Sequence, residues 1–214
     1  MILGFSHLAL TACDWTSQSQ SLEAAGYTRV FFSRHLPNPP EKIPLLSRHH
    51  PTHDLALYHH PTGLAIELID HGPHASPQTG PYQVDPQEPG CLRLHCADPA
   101  REIPFWTRGL GFRLNPEGTE GVLQRPVAAW CARLRWIHDP AITPAPLDAG
   151  GHACAAFVVA DLKRELLRMI TLGAWEITPP FCLSPNGQPL LIALLRAPGG
   201  AIVELLQPLG KPSP

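Results

Sequence analysis

The sequence has few charged residues and no long apolar run. Asp, Glu, Lys and Arg make up 16% of its 214 residues, below the usual quarter. Lys and Arg number 16 and Asp and Glu 18, so the formal net charge is −2. That balance argues against a nucleic-acid partner, which would select for a basic excess. No stretch of about 18 apolar residues occurs, so no membrane-spanning helix and no membrane partner is predicted.

The cysteines are also sparse. The chain contains six, none of them in a CxxC spacing, so the sequence predicts neither a disulfide scaffold nor a cysteine-based zinc site. This use of cysteine suits a reducing cytoplasm, which is the predicted location. Apolar residues make up 44% of the chain, enough for a hydrophobic core, while 26 prolines predict long irregular connections.

One pattern occurs three times along the chain. Each copy is a short apolar strand that ends in Asp, followed by an amphipathic stretch and then Gly. Asp is a good helix N-cap and Gly ends helices in the left-handed conformation, so each copy predicts a strand followed by a three-turn helix. The strands with their Asp residues are Phe5–Asp14, Cys91–Asp98 and Cys154–Asp161, and the glycines are Gly26, Gly111 and Gly173.

Two or three further strand candidates follow each helix, separated by turn signals such as Pro61-Thr62-Gly63. The chain is therefore predicted to be α+β, with three copies of a βαβββ module. The predicted boundaries are module 1 at residues 1–72, a Pro-rich linker at 73–89, a degenerate module 2 at 90–139, a linker at 140–150, and module 3 at 151–208.

This repeat resembles the glyoxalase/bleomycin-resistance/dioxygenase (vicinal oxygen chelate) superfamily. The resemblance lies in the first strand Ser6-His-Leu-Ala-Leu and in the last strands Gly63–Asp70 and Gly199–Leu206. It implies curved mixed sheets that pair to form a cleft, with metal ligands on the first and last strand of a module. The family hosts many chemistries, so the resemblance predicts the fold more sharply than the reaction.

A cleft between modules 1 and 3 would be a metal site. By the resemblance, the ligand positions fall on His7, Glu67 and Glu204, and strand periodicity adds His152, two residues before Cys154. Nitrogen and carboxylate donors suit Fe, Mn, Zn, Ni or Co. Such an ion would chelate two adjacent oxygens of a substrate, while Glu67 or Glu204 moves a proton as the catalytic group.

A cleft between modules 2 and 3 would instead bind an anion. Arginine forks match carboxylates and phosphates, and Glu204 would lie opposite them. The predicted substrate-binding residues of this cleft are Arg93, His95, Arg133 and Arg135. The sequence leaves open which modules pair, and an odd module paired with its copy in a second chain would give a homodimer.

The leading hypothesis is a metal-dependent glyoxalase- or dioxygenase-like enzyme that acts on a small oxygenated molecule by bidentate chelation. The alternative is a metal-free small-molecule-binding protein of the bleomycin-resistance type, with an arginine-lined anion pocket. The remaining histidine clusters lie in or beside Pro-rich segments and are expected to point into solvent. They are His49, His50 and His53, His59 with His60, and His71 with His74.

Overall fold

The structure is a computed structural model that describes residues 1–72, 76–85, 88–124 and 131–210. Its strands are β1 (Ile2–Thr11), β2 (Thr28–Pro37), β3 (Thr52–His59), β4 (Ile66–Asp70), β5 (Ser76–Thr79), β6 (Tyr82–Asp85), β7 (Glu88–Cys96), β8 (Arg113–Leu114), β9 (Glu120–Gln124), β10 (Cys131–His138), β11 (Ala149–Val159), β12 (Phe181–Leu183), β13 (Leu190–Arg196) and β14 (Ile202–Pro208). Its α-helices are α1 (Trp15–Ala24), α2 (Pro99–Pro104) and α3 (Leu162–Thr171). Two 3₁₀ helices span Pro40–Leu45 and Pro185–Gly187. None of the helices in these ranges is both long and apolar enough to cross a bilayer.

The same strand order occurs three times. In each module the first strand runs parallel to the last, the last pairs antiparallel with the third, and the third pairs antiparallel with the second. The three sheets are β1-β4-β3-β2, β7-β10-β9-β8 and β11-β14-β13-β12. This order confirms the predicted α+β fold of βαβββ modules. It also places the first and last strands of each module side by side.

The helix ends follow the sequence signals. The side chains of Asp14, Asp98 and Asp161 each accept a hydrogen bond from a backbone N–H in the first turn of the helix that follows. The predicted middle helix is shorter than its neighbours because Pro104 cannot continue the regular hydrogen-bond pattern. The α-helix ends there, and a π-helical turn over Phe105–Gly109 completes the segment.

Modules 1 and 3 form one continuous sheet through their first strands. β1 pairs antiparallel with β11 along almost its whole length, from Ile2 opposite Val159 to Thr11 opposite Gly151. The sequence left open which modules pair. The structure pairs module 1 with module 3, so the cleft lies between these two modules.

Module 2 packs beside this pair through its helix and through strand β6. β6 pairs with β7 and also contacts β11, where Tyr82 lies opposite His152. The buried carboxylate of Glu102 on α2 accepts hydrogen bonds from the Trp106 indole at 2.7 Å and from the backbone N–H of Gly199 in module 3. Trp106 is fully buried and packs against Phe157 of β11. Among the described residues, β6 lies between β7 and β11, so the first strand of module 2 does not pair directly with the first strand of another module.

The segment predicted as a linker between modules 1 and 2 is more ordered than expected. It contains the short strands β5 and β6, because the first strands of modules 2 and 3 leave edges that these residues can pair with. β7 also begins at Glu88, two residues before the predicted boundary. The division into modules at the predicted boundaries stays a prediction.

Gly80, between β5 and β6, is predicted to be intolerant of a side chain. A Cβ there would lie 2.1 Å from the backbone oxygen of His152, which cannot move without breaking the sheet. We expect Gly80→Ala to lower the free energy of unfolding by about 3 kcal/mol, measured by urea denaturation. In the control Gly210→Ala, the added Cβ would meet nothing within 4 Å, and stability should not change. Equal stability of the two variants would contradict the prediction.

Candidate functional site

The predicted residues His7, Glu67 and Glu204 lie on three neighbouring strands of the joined sheet. His7 on β1 lies opposite Ala156 of β11, and Ala156 in turn lies beside Glu204 of β14. Glu67 of β4 is in register with Ala9, one step along β1 on the same face. Residues opposite each other in a sheet share a face, so the small Ala156 side chain leaves room between His7 and Glu204.

The three side chains converge on one point. His7 Nε2 lies 3.3 Å from Glu67 Oε2 and 3.5 Å from Glu204 Oε2. One donor atom from each of the three residues lies within 4.8 Å of the others. Two ligands that each lie about 2.1 Å from an ion at a tetrahedral angle are about 3.4 Å apart. The two distances from His7 are therefore compatible with a divalent transition metal.

The imidazole of His7 is oriented for this role. Its Nδ1 lies 3.1 Å from Ser6 Oγ, and a proton on Nδ1 donated to that oxygen leaves the Nε2 lone pair free. Nε2 is buried and has no well-directed hydrogen bond to any described residue. A buried nitrogen that faces two carboxylates without such a bond is a natural metal ligand.

Charge holds the three groups together when no ion is bound. Burial alone would lower the pKa of His7, but the carboxylates of Glu67 and Glu204 raise it to about 10. Burial would raise the pKa of Glu67, whereas the neighbouring His7 brings it below its usual value. At neutral pH the imidazolium therefore lies between two carboxylates, and a metal ion would have to displace its proton.

A cavity of about 180 Å³ opens beside the three residues, between modules 1 and 3. A cavity of roughly 150 Å³ can hold benzene, so this one can take a small organic molecule. Its wall is mostly apolar, with leucine the commonest residue, and it includes His7, Glu67 and Glu204 as one polar group and Lys42, His53 and His71 as another. An apolar wall with a few polar groups is typical of a small-molecule site.

His152, the fourth predicted metal ligand, does not join the group. The pairing of β1 with β11 shifts by one residue between Ala9 and Leu10, so His152 lies opposite Leu10 rather than beside Ala9. Leu10 packs on the opposite side of the sheet from Ala9, and His152 is not among the residues that line the cavity. A bulge interrupts the strand alternation on which this prediction depends, so His152 as a metal ligand stays a prediction without support from the site geometry. Burial lowers the pKa of His152 to about 4.

The predicted anion-binding residues lie in module 2 and have acidic partners. Three arginines face three carboxylates there, and His95 Nδ1 lies 3.3 Å from Asp139 Oδ2. Glu204, expected opposite the arginines, lies instead beside His7. A role in binding an anion would require the ion pairs to break. The pairs are Arg93 with Asp85 at 2.6 Å, Arg133 with Glu88 at 3.0 Å, and Arg135 with Glu120 at 2.7 Å and with Glu88 at 2.9 Å.

The sequence analysis missed the second polar group of the cavity. His53 and His71 were expected in solvent, yet they are only 4% and 6% exposed, and Lys42 is also 6% exposed. His74 lies outside the described residues. Strand alternation could have revealed this group, because alternate residues of a strand share a face. His53 alternates with Leu55 and Leu57, and His71 alternates with Ile69 and Glu67.

Comparison with known proteins gives matches among solved structures only. No protein-family model and no curated protein matches the chain. Glyoxalase I from Zea mays is similar with a TM-score of 0.40 and 19% identity, over 95% of this chain and 67% of that one. A methylmalonyl-CoA epimerase is similar with a TM-score of 0.43 and 10% identity, over 97% and 96% of the two chains. An antibiotic binding protein from Streptomyces is similar with a TM-score of 0.37 and 16% identity, over 56% of this chain and 94% of that one.

The fold assignment depends on the topology of the chain itself. Three sheets share one strand order, and the first strands of modules 1 and 3 lie edge to edge. By this repeated βαβββ order, the chain is similar to proteins of the glyoxalase/bleomycin-resistance/dioxygenase superfamily.

Proposed function

We propose that the protein is a metal-dependent enzyme of the glyoxalase or dioxygenase type, acting on a small oxygenated molecule. The observation that carries the proposal is the convergence of His7, Glu67 and Glu204 beside a largely apolar cavity. One imidazole and two carboxylates suit Fe, Mn, Zn, Ni or Co. Three protein ligands leave coordination positions for two adjacent substrate oxygens.

The bound metal would supply a Lewis acid that stabilises negative charge on those oxygens. His7 would hold the ion through Nε2, with Ser6 orienting its ring. Glu67 and Glu204 would complete the ligand set, and a carboxylate oxygen that is not committed to the ion could take a proton from the substrate carbon. A substrate packed against the apolar wall would displace water from the site, which would strengthen each of these interactions.

The metal-free alternative has weaker support. It requires an arginine-lined pocket, and the three arginines already have carboxylate partners.

A homodimer stays a proposal, supported by the absence of a module partner for module 2 among the described residues. A cytoplasmic location is likewise a proposal, supported by the absence of a disulfide among the described cysteine side chains.

Acetohydroxamate, a small chelator with two adjacent oxygens, tests the proposed function. The chain is stripped of metal with a chelator and reloaded with Co²⁺, whose visible absorption reports its ligands. We expect acetohydroxamate to change the spectrum saturably and with one molecule per protein, because it would occupy the two open positions. Acetamide, which lacks the second oxygen, should leave the spectrum unchanged. A Co²⁺ spectrum that does not respond to acetohydroxamate would refute bidentate chelation.

A further inference from the structure

Lys42 is a buried cation in the cavity wall. It belongs to the 3₁₀ helix Pro40–Leu45 and is only 6% exposed. Its Nζ lies 5.5 Å from the centre of the Phe181 ring, and no carboxylate among the described residues forms an ion pair with it. A buried charge without a partner is costly, so this position calls for an anion.

The nearby buried acids are already engaged. Asp148 accepts hydrogen bonds from the backbone N–H groups of Ser47 and Arg48 and from Ser47 Oγ. These bonds tie the loop after the 3₁₀ helix to the segment just before β11. Glu67 and Glu204 face His7, and Glu67 lies close enough for the charge of Lys42 to lower its pKa. None of these acids forms an ion pair with Lys42 among the described residues, which leaves that role to the anion of a ligand.

Two histidines complete the same end of the cavity. Asp54 pairs with Asp70 across β3 and β4, so His53 and His71 continue this pairing at the next position and lie across from each other, with ring centres 6.3 Å apart. His53 Nδ1 and both ring nitrogens of His71 are buried and have no hydrogen-bond partner among the described residues. Both side chains line the cavity.

These histidines are neutral hydrogen-bond donors rather than additional cations. Burial first, and then the charge of Lys42, lowers the pKa of His53 to about 3 and that of His71 to about 4. Each neutral imidazole still carries one N–H that can donate. The group therefore offers one positive charge and two neutral donors, which matches a monoanion.

We infer that Lys42, His53 and His71 form a carboxylate-binding subsite, so that the substrate carries a carboxylate as well as two adjacent oxygens. The inference rests on the proposed function for the idea that the cavity receives a substrate. A carboxylate is favoured over a phosphate dianion because the subsite supplies only one positive charge. Leu55 and Ile69, an opposite pair between the subsite and Glu67, would contact an apolar stretch of that substrate.

Hexanoate is a suitable probe because it joins a carboxylate to an apolar chain without a chelating group. Isothermal titration of the metal-free full chain should show saturable binding of hexanoate, at least tenfold tighter than that of hexan-1-ol. Hexyl phosphate should bind more weakly than hexanoate. Equal binding of hexanoate and hexan-1-ol would overturn the inference, and tighter binding of hexyl phosphate would overturn the assignment to a carboxylate. These comparisons use the unmodified protein and do not depend on the folding of a variant.

Substitution of the lysine locates the effect. Lys42→Met, which keeps most of the length of the side chain and removes its charge, should weaken hexanoate binding at least 30-fold and leave hexan-1-ol binding unchanged. Lys163→Met, on the exposed side of α3, is the matched control and should bind hexanoate normally. Undiminished binding by a folded Lys42→Met variant would overturn the inference.

The same preparations separate this inference from the proposed function. Each preparation is also tested for metal uptake: a separate portion is reloaded with the metal ion and its metal content is measured. Metal binding without hexanoate binding refutes the subsite alone, whereas hexanoate binding that depends on Lys42 in a protein that takes up no metal refutes the metal-dependent function alone.

Discussion

His7→Ala should remove the metal from the protein. His7 is the only nitrogen donor of the group, and its Nε2 lies between the two carboxylates at 3.3 and 3.5 Å. Loss of a residue that merely orients a ligand typically costs 10- to 100-fold in affinity, so we expect the loss of the ligand itself to cost more than 100-fold. Protein purified without added metal should contain close to one transition-metal ion per chain by elemental analysis, and the variant almost none.

Two further variants make this measurement specific. Ser6→Ala removes the hydroxyl beside His7 Nδ1 and should weaken metal binding by an intermediate factor of about 10. His138→Ala changes an exposed histidine at the end of β10 and should retain the full metal content. If the His7→Ala protein keeps its metal, the proposed metal site at His7, Glu67 and Glu204 is wrong, even if the fold assignment is right.

The second large effect should be a loss of stability in mild acid. The folded protein keeps His53 and His71 neutral, with pKa values lowered to about 3 and about 4 by burial and by Lys42, whereas the unfolded chain protonates them near pH 6.5. Between these values the unfolded state binds more protons, so the free energy of unfolding falls as the pH falls. Each histidine contributes at most about 1.4 kcal/mol per pH unit.

His7 and Glu67 do not cancel this effect. The raised pKa of His7 stabilises the folded protein. This stabilisation is complete below pH 6.5 and is lost only as the pH rises towards 10. The lowered pKa of Glu67 also stabilises the folded protein, and that stabilisation is lost only below about pH 4.5. Urea denaturation of the metal-free protein between pH 6.5 and 4.5 should therefore show the slope of His53 and His71, added to that of His152, whose pKa burial also lowers to about 4.

Glutamine variants test the assignment of this slope. His53→Gln and His71→Gln should each reduce the pH dependence by up to about 1.4 kcal/mol per pH unit, because glutamine does not titrate. His138→Gln, at an exposed position, should leave the slope as it is. If His53→Gln and His71→Gln keep the pH dependence of the unmodified protein, as the control does, the acid sensitivity has another origin.

The sequence predicted the features that local chemistry determines. Asp14, Asp98 and Asp161 cap their helices, and the βαβββ order follows from strand and turn signals. His7, Glu67 and Glu204 came from the resemblance, and their convergence could be expected only for one of the open module pairings. Which first strands pair could not be predicted, because β1 and β11 could equally well have paired with other edges. That choice depends on contacts between residues far apart in the sequence.

The errors also have physical causes. His152 was placed by strict alternation, and a single extra residue in β11 moved it to the other face. Lys42 lies in a Pro-rich connection, where no periodicity indicates burial. The arginines of module 2 were expected to be free for a ligand, but one of their partners, Asp85, comes from a strand inside the predicted linker. Each error arises where a distant segment determines the surroundings of a residue.

The edge-to-edge contact of β1 with β11 means that the proposed metal centre joins segments far apart in the sequence. His7 is synthesised 197 residues before Glu204. Because pairings between distant segments form slowly, a nascent chain that has completed module 1 still lacks the whole sheet β11-β14-β13-β12. Ion uptake at this proposed centre would therefore have to follow synthesis and closure of the joined sheet.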